Sequence, residues 1–244
     1  MSTLLLVGAG GIGAPCALAL ANAVAAGEAP PFELTVLDDD RVERSNLHRQ
    51  ILFTEGDVGL PKVEAFAARL REIAPSLSVS TKSGRFVPDV ALDLARGASV
   101  VVDATDNFAS RFLLADAARI TGRPVVHAAS VRWHATVLAA SATGRPCYRC
   151  LFEDLPEGDA PDCATAGVVG PVCGVAGALA ADLALSILRG ETRAFGFVLS
   201  FDGLTDRLRR VAVKPRAGCA LCGSNAEIRT ISEARYAGPV CDSL

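Results

Sequence analysis

Three groups of residues in this chain have the types and spacing to do chemistry. Gly8-x-Gly10-x-x-Gly13 lies between an apolar run and an alanine-rich segment, where small residues let the backbone close on a phosphate group at a helix start. Downstream, Arg41-Val-Glu-Arg-Ser45-Asn46-Leu47-His48-Arg49-Gln50, Lys62 and Asp106-Asn107 supply cations, amides and a carboxylate. Arginine and lysine neutralise β- and γ-phosphates, and an aspartate at a strand end can hold Mg²⁺. The third group is Cys147-x-x-Cys150 with Cys219-x-x-Cys222, four thiols that suit tetrahedral Zn²⁺, although the stretch between the pairs exceeds ordinary zinc-ribbon spacing.

Each group needs elements to hold it in place. Leu4–Val7 reads as a strand, the glycine loop as its turn, and 14–26 as a helix, with a second strand over 32–37 that runs into Asp38-Asp39-Asp40. Asp38, ending that strand, is placed to accept hydrogen bonds from a ribose. Val63, Phe66, Ala67, Leu70 and Ile73 have helical spacing over 61–74, and Pro75 stops the run. A strand over 98–102 leads through Asp103 to Thr105-Asp106-Asn107, then a helix over 108–121 and a strand over 124–129. Apolar strands alternating with helices predict a parallel sheet covered on both faces. Past Trp133 the pattern changes to strands at 133–140, 195–201 and 208–213 around one helix at 171–188, predicting added antiparallel strands.

Composition narrows the function classes. A chain of 244 residues, half of them apolar, can bury the core of one domain, and no linker or repeat divides it. A net charge of −3 argues against nucleic acid as the main partner. Two long stretches lack charge, 4–27 and 163–181, but glycine and proline interrupt both and no basic residue precedes the first, so neither a membrane span nor a signal peptide is expected. Eight cysteines without an export signal point to metal or thiol chemistry in the cytoplasm rather than to a disulfide scaffold. The glycine loop and Asp38 alone suit NAD as well as ATP. The Arg49, Lys62 and Asp106 set decides for ATP, since a nicotinamide cofactor has no use for it.

The residues quoted above, with Cys-Tyr-Arg-Cys at 147–150 and Thr-Ala-Gly-Val-Val-Gly-Pro at 165–171, resemble the ThiF/MoeB/HesA adenylyltransferases, relatives of ubiquitin-activating enzymes. The resemblance runs in order along nearly the whole chain. It implies an α/β, Rossmann-like, doubly wound and mainly parallel sheet extended by antiparallel strands, with a structural zinc site at Cys147, Cys150, Cys219 and Cys222. A single adenylation domain over 1–244 would combine a nucleotide-binding half (1–130) with a carrier-binding, zinc-containing half (131–244). By that resemblance Gly8, Gly10, Gly11, Gly13, Asp38, Asp40, Ser45, Asn46, Arg49, Lys62 and Asn107 form the nucleotide site, and Asp106 holds magnesium for attack at the α-phosphate. ATP would activate the C-terminal carboxylate of a ubiquitin-like sulfur carrier ending in Gly-Gly, with Cys163 as a possible acceptor and a homodimer as the assembly.

The other readings are a hydride-transferring enzyme and a non-catalytic nucleotide- or carrier-binding scaffold. Arg49 or Lys62 could instead be surface ion pairs, Asp106 a helix cap, and Cys163 an inert loop thiol. Cys16 and Cys173 read as packed core thiols, Cys241 as a passive terminal one, and His48, His127 and His134 as structural or site-lining. The chain departs from the family pattern where its first strand starts at Thr3, without the helical lead-in that in some members sends an arginine to the partner subunit's phosphates. The loop 25–32 is also longer than usual.

Overall fold

The structure is a computed structural model, and it describes residues 1–156 and 167–236. One mixed sheet runs through it. The strands are β1 (Ser2–Val7), β2 (Phe32–Asp38), β3 (Ser78–Ser83), β4 (Val100–Asp103), β5 (Val125–Val131), β6 (His134–Ala140), β7 (Phe197–Asp202) and β8 (Arg207–Ala212), in the order β3-β2-β1-β4-β5-β6-β7-β8. The first five pair in parallel, and β5–β6, β6–β7 and β7–β8 pair antiparallel. The predicted doubly wound sheet with an antiparallel extension is therefore what the chain forms.

The helices are α1 (Gly13–Ala25), α2 (Lys62–Ile73), α3 (Pro88–Arg96), α4 (Phe108–Thr121), the short α5 (Tyr148–Leu151) and α6 (Gly170–Leu188). Alternation along β1 sorts its side chains between two cores: Leu4 and Leu6 face α1, α2 and α6, whereas Leu5 and Val7 face α3 and α4. The α6 helix is long and apolar enough to cross a membrane, yet it packs on α1, β5 and β6 with residues buried on more than one side. Its all-round apolar character is thus that of an interior helix.

Sequence order 3-2-1-4 makes the chain cross over between β1 and β4, so the loops after β1 and β4 diverge and leave a crevice at their carboxyl ends. β3 and α3 were not foreseen. Ser-Val-Ser-Thr-Lys-Ser has no apolar alternation because β3 is an edge strand, mostly exposed and held by its backbone pairing to β2.

Candidate nucleotide site and four-cysteine corner

A cavity of about 700 Å³ opens at this crevice, and Gly8, Gly10, Gly11 and Ile12 form its floor. Gly8 has φ +100°, and a Cβ there would lie 2.7 Å from the Ala104 carbonyl oxygen. At Gly13 a Cβ would stand 2.0 Å from the Gly8 oxygen, so this glycine does not line the cavity but lets α1 start directly against the loop. No side chain caps the N-terminus of α1 and no acidic residue lies in its first turn. Its free N–H groups and positive dipole end face the cavity, where an anion satisfies both.

Asp38 ties the loop to β2. One carboxylate oxygen accepts the Ala9 N–H at 2.7 Å and the other the Asp40 N–H at 2.9 Å. Burial pushes this carboxyl above its ordinary range, against the pull of Lys62 and the two N–H groups. Lys62, the first residue of α2 and buried, donates from Nζ to Asp40 Oδ2 at 2.6 Å. Asp40 thus holds the lysine inside the cavity wall, and Lys62 is not a surface ion pair. Arg49 and Asn46 also line the cavity, and among the described residues no carboxylate pairs with Arg49. Ser45 sits elsewhere: it is exposed, bonds Glu43 at 3.1 Å and does not reach the cavity.

Asn107 caps α4, its side chain accepting the Ser110 N–H at 2.9 Å. The capping role weighed for Asp106 falls to its neighbour. Among the described residues nothing donates to the Asp106 carboxylate, which stands exposed in the cavity. An exposed carboxylate facing this cavity, with no donor among the described residues, fits a hard divalent cation. Cys173, read as a core thiol, is buried but also lines this cavity, as do Arg85, bonded to Asp39 at 2.6 Å, and Tyr236. Neither Arg85 nor Tyr236 carries a motif that would have revealed it. Cys16 is fully buried, and burial holds its thiol up at about 12.

Cys147, Cys150, Cys219 and Cys222 meet in one buried cluster, with Sγ–Sγ distances of 3.8, 3.5 and 3.4 Å for 147–150, 147–219 and 150–222. A tetrahedral zinc with Zn–S near 2.3 Å puts its sulfurs about 3.8 Å apart, so the donors fit that ion. Apart from the cysteines, Leu221 and Ile228 are the buried apolar residues of this corner among the described residues, too few to form a core. Beside it Arg149 makes a bidentate pair with Asp116 at 2.8 and 2.9 Å, and Tyr236 Oη donates to the same aspartate at 2.8 Å. Cys163 and Cys241 lie outside the described residues.

The fold and site together define an α/β domain with a glycine loop at its sheet crevice and four thiols that meet beside its antiparallel strands. The chain belongs to the ThiF family, whose model matches residues 1–221. It is 40% identical over its full length to the SAMP-activating enzyme E1 of Haloferax volcanii, covering 88% of that protein. It is 37% identical to the sulfur carrier protein ThiS adenylyltransferase of Escherichia coli, with 93% of this chain and 88% of that one aligned. Against the adenylyltransferase and sulfurtransferase MOCS3 of Aedes aegypti it is 38% identical over 93% of its own length, but spans only 51% of that longer protein. The solved structure of E. coli MccB with ATP shares the fold, at TM-score 0.76 and 22% identity, covering 91% of this chain and 67% of that one. These relatives favour adenylation over the hydride-transfer reading.

Proposed function

We propose that the chain is an ATP-dependent adenylyltransferase that activates the C-terminal carboxylate of a ubiquitin-like sulfur carrier ending in Gly-Gly. The observation that carries this reading is the place of Asp106, which lines both the charged cavity and a neighbouring apolar cavity of about 440 Å³. A nucleotide in the first and an extended peptide end in the second would meet at that carboxylate.

The chain's own groups fit the steps. Asp38 accepts from the ribose, the α1 N-terminus with Asn46, Arg49 and Lys62 takes the triphosphate, and Gly11 and Asn107 complete the wall. Magnesium held by Asp106 supplies charge neutralisation on the phosphates when bound. The carrier carboxylate oxygen attacks the α-phosphorus, the bond to the bridging oxygen breaks, and pyrophosphate leaves with the electron pair on an oxygen that Arg49 and Lys62 face. The zinc corner adds stability rather than chemistry. The proposal extends, on the family resemblance, to acyl transfer onto Cys163 with release of AMP, to a carrier-binding role for 131–244, to a homodimer and to the cytoplasm, where free thiols persist.

ATP–pyrophosphate exchange with magnesium and Gly-Gly-ended carriers tests the reading. Exchange is expected, and its absence with every such carrier, including one encoded beside this gene, sinks it. Asp106→Ala should abolish exchange, whereas a scaffold would keep its binding. A thiol-labile carrier adduct that disappears in Cys163→Ala tests the transfer step, and its absence in the wild type leaves adenylation alone.

A further inference from the structure

Among the described residues, one fully buried polar atom in the wall of the apolar cavity has no hydrogen-bond partner. His127 lies on β5, 3% exposed, and its Nε2 is buried without a hydrogen bond, although the residue lines the cavity. The other ring nitrogen is fixed: Nδ1 lies 2.7 Å from Asp103 Oδ2, on the neighbouring strand at the same register. Asp103 Oδ1 accepts the Thr105 N–H at 3.0 Å and its hydroxyl at 2.6 Å. A carboxylate with these partners only accepts, so Nδ1 carries the proton.

Asp103 does not need a positive imidazole. The Arg111 guanidinium stands close enough to balance it, with its own terminal nitrogens spent on the Ala128 and Thr105 carbonyl oxygens. With the proton on Nδ1, the neutral form of the ring presents a lone pair at Nε2. Leaving a buried acceptor unmatched costs the free energy of its lost hydration, so the site is incomplete without a donor. Leu138, Tyr148, Phe152 and Val198 make the cavity lining mainly apolar, with Asp106 and Arg111 as its charged residues, which favours an uncharged stretch of chain. An extended peptide end offers this combination, a backbone N–H between small or apolar groups.

We propose that His127 is a specificity-determining residue whose Nε2 accepts one backbone N–H of the substrate's C-terminal segment as that segment passes through the apolar cavity toward Asp106. Asp103 is its positioning residue. This rests on the adenylation reading and goes beyond it by naming the atom that selects the tail. A tail with a secondary amide at that position is accepted, and one with proline or an N-methyl group is rejected, because the acceptor would then face carbon.

The test uses ATP–pyrophosphate exchange on the full chain, with ThiS of E. coli and other Gly-Gly-ended carriers as probes. His127→Asn can still donate to Asp103 but has no acceptor at the Nε2 position, while the longer side chain in His127→Gln brings a carbonyl oxygen near it. For His127→Asn the carrier KM should rise about ten-fold, with kcat changed less than about two-fold and the KM for ATP unaltered, and His127→Gln should recover most of the loss. An unchanged carrier KM in folded His127→Asn overturns the inference alone; no exchange in the wild type overturns the parent reading as well. Long-range proton–nitrogen spectra of the three imidazoles give a second measurement. His127 protonated only on Nδ1 in the free enzyme supports the proposal, and an Nε2-protonated or fully protonated ring refutes it.

Discussion

The two cavities that meet at Asp106 are built on opposite rules. On the nucleotide side three carboxylates are partnered within the protein, Asp40 with Lys62, Asp39 with Arg85 and Asp38 with the Ala9 N–H, while among the described residues Arg49 and Asp106 are left open to a ligand. These groups are in position before any ligand arrives, which is how a site avoids reorganising while charge moves. The other side is walled by the antiparallel strands and by Tyr148 and Phe152, whose rings lie 4.9 Å apart, and among the described residues its one fully buried unmatched atom is His127 Nε2. The difference teaches that the first cavity is ordered by loops on a parallel core, whereas the second depends on the four-cysteine corner, because Cys147 and Cys150 flank the turn that carries Tyr148.

The largest break in that symmetry should come from the thiols. Cys219→Ser, or chelation of the metal these thiols would hold, should cost about 3–5 kcal/mol and lower Tm by roughly 10 °C in calorimetry. ATP should still raise the Tm of the damaged protein while carrier binding is lost; equal loss of both would show that the cavities are not separately supported. Asp106→Asn comes next, with exchange slowed about 10³-fold, or roughly 4 kcal/mol of barrier, and little change in Tm. Gly13→Ala should then cost about 2–3 kcal/mol of stability and weaken ATP binding more than carrier binding, as the new Cβ drives α1 from the loop. The smallest effect lies in acid. His127 and Arg111 hold the Asp103 carboxyl below its ordinary value despite its burial. Its stabilisation is therefore present above about pH 4 and lost as pH falls through the lower folded value. Urea titrations from pH 6 to 2 should show this contribution in the wild type and not in Asp103→Asn.

That the glycine loop, Asp38, Lys62 and Asp106 meet at one cavity was legible in the sequence, because each combines a special residue with a strand or helix end. The helix at 108–121 was read to its last residue, since Gly122 in the left-handed conformation ends it. β3 could not be read because a solvated edge strand obeys pairing rather than hydrophobic period. Ser45, quoted with the motif around it, turned outward, since neighbours on a 3₁₀ turn point in different directions. The Asp103–His127–Arg111 set was invisible for another reason: its members come from β4, β5 and α4, and only the parallel register of β4 on β5 aligns the first two. His127 was read as structural or site-lining; it lines the apolar cavity rather than the charged one.

Asn107 caps the start of its own helix, and so the adjacent Asp106 is released from that duty to the fold. Adaptation can therefore act on the two neighbours separately. A lineage or a protein engineer could exchange the side chain at 106 for one with different ligand preferences without unravelling α4, provided that 107 keeps its amide oxygen. Such a pair separates the exposed carboxylate from the fastening of the helix that follows it.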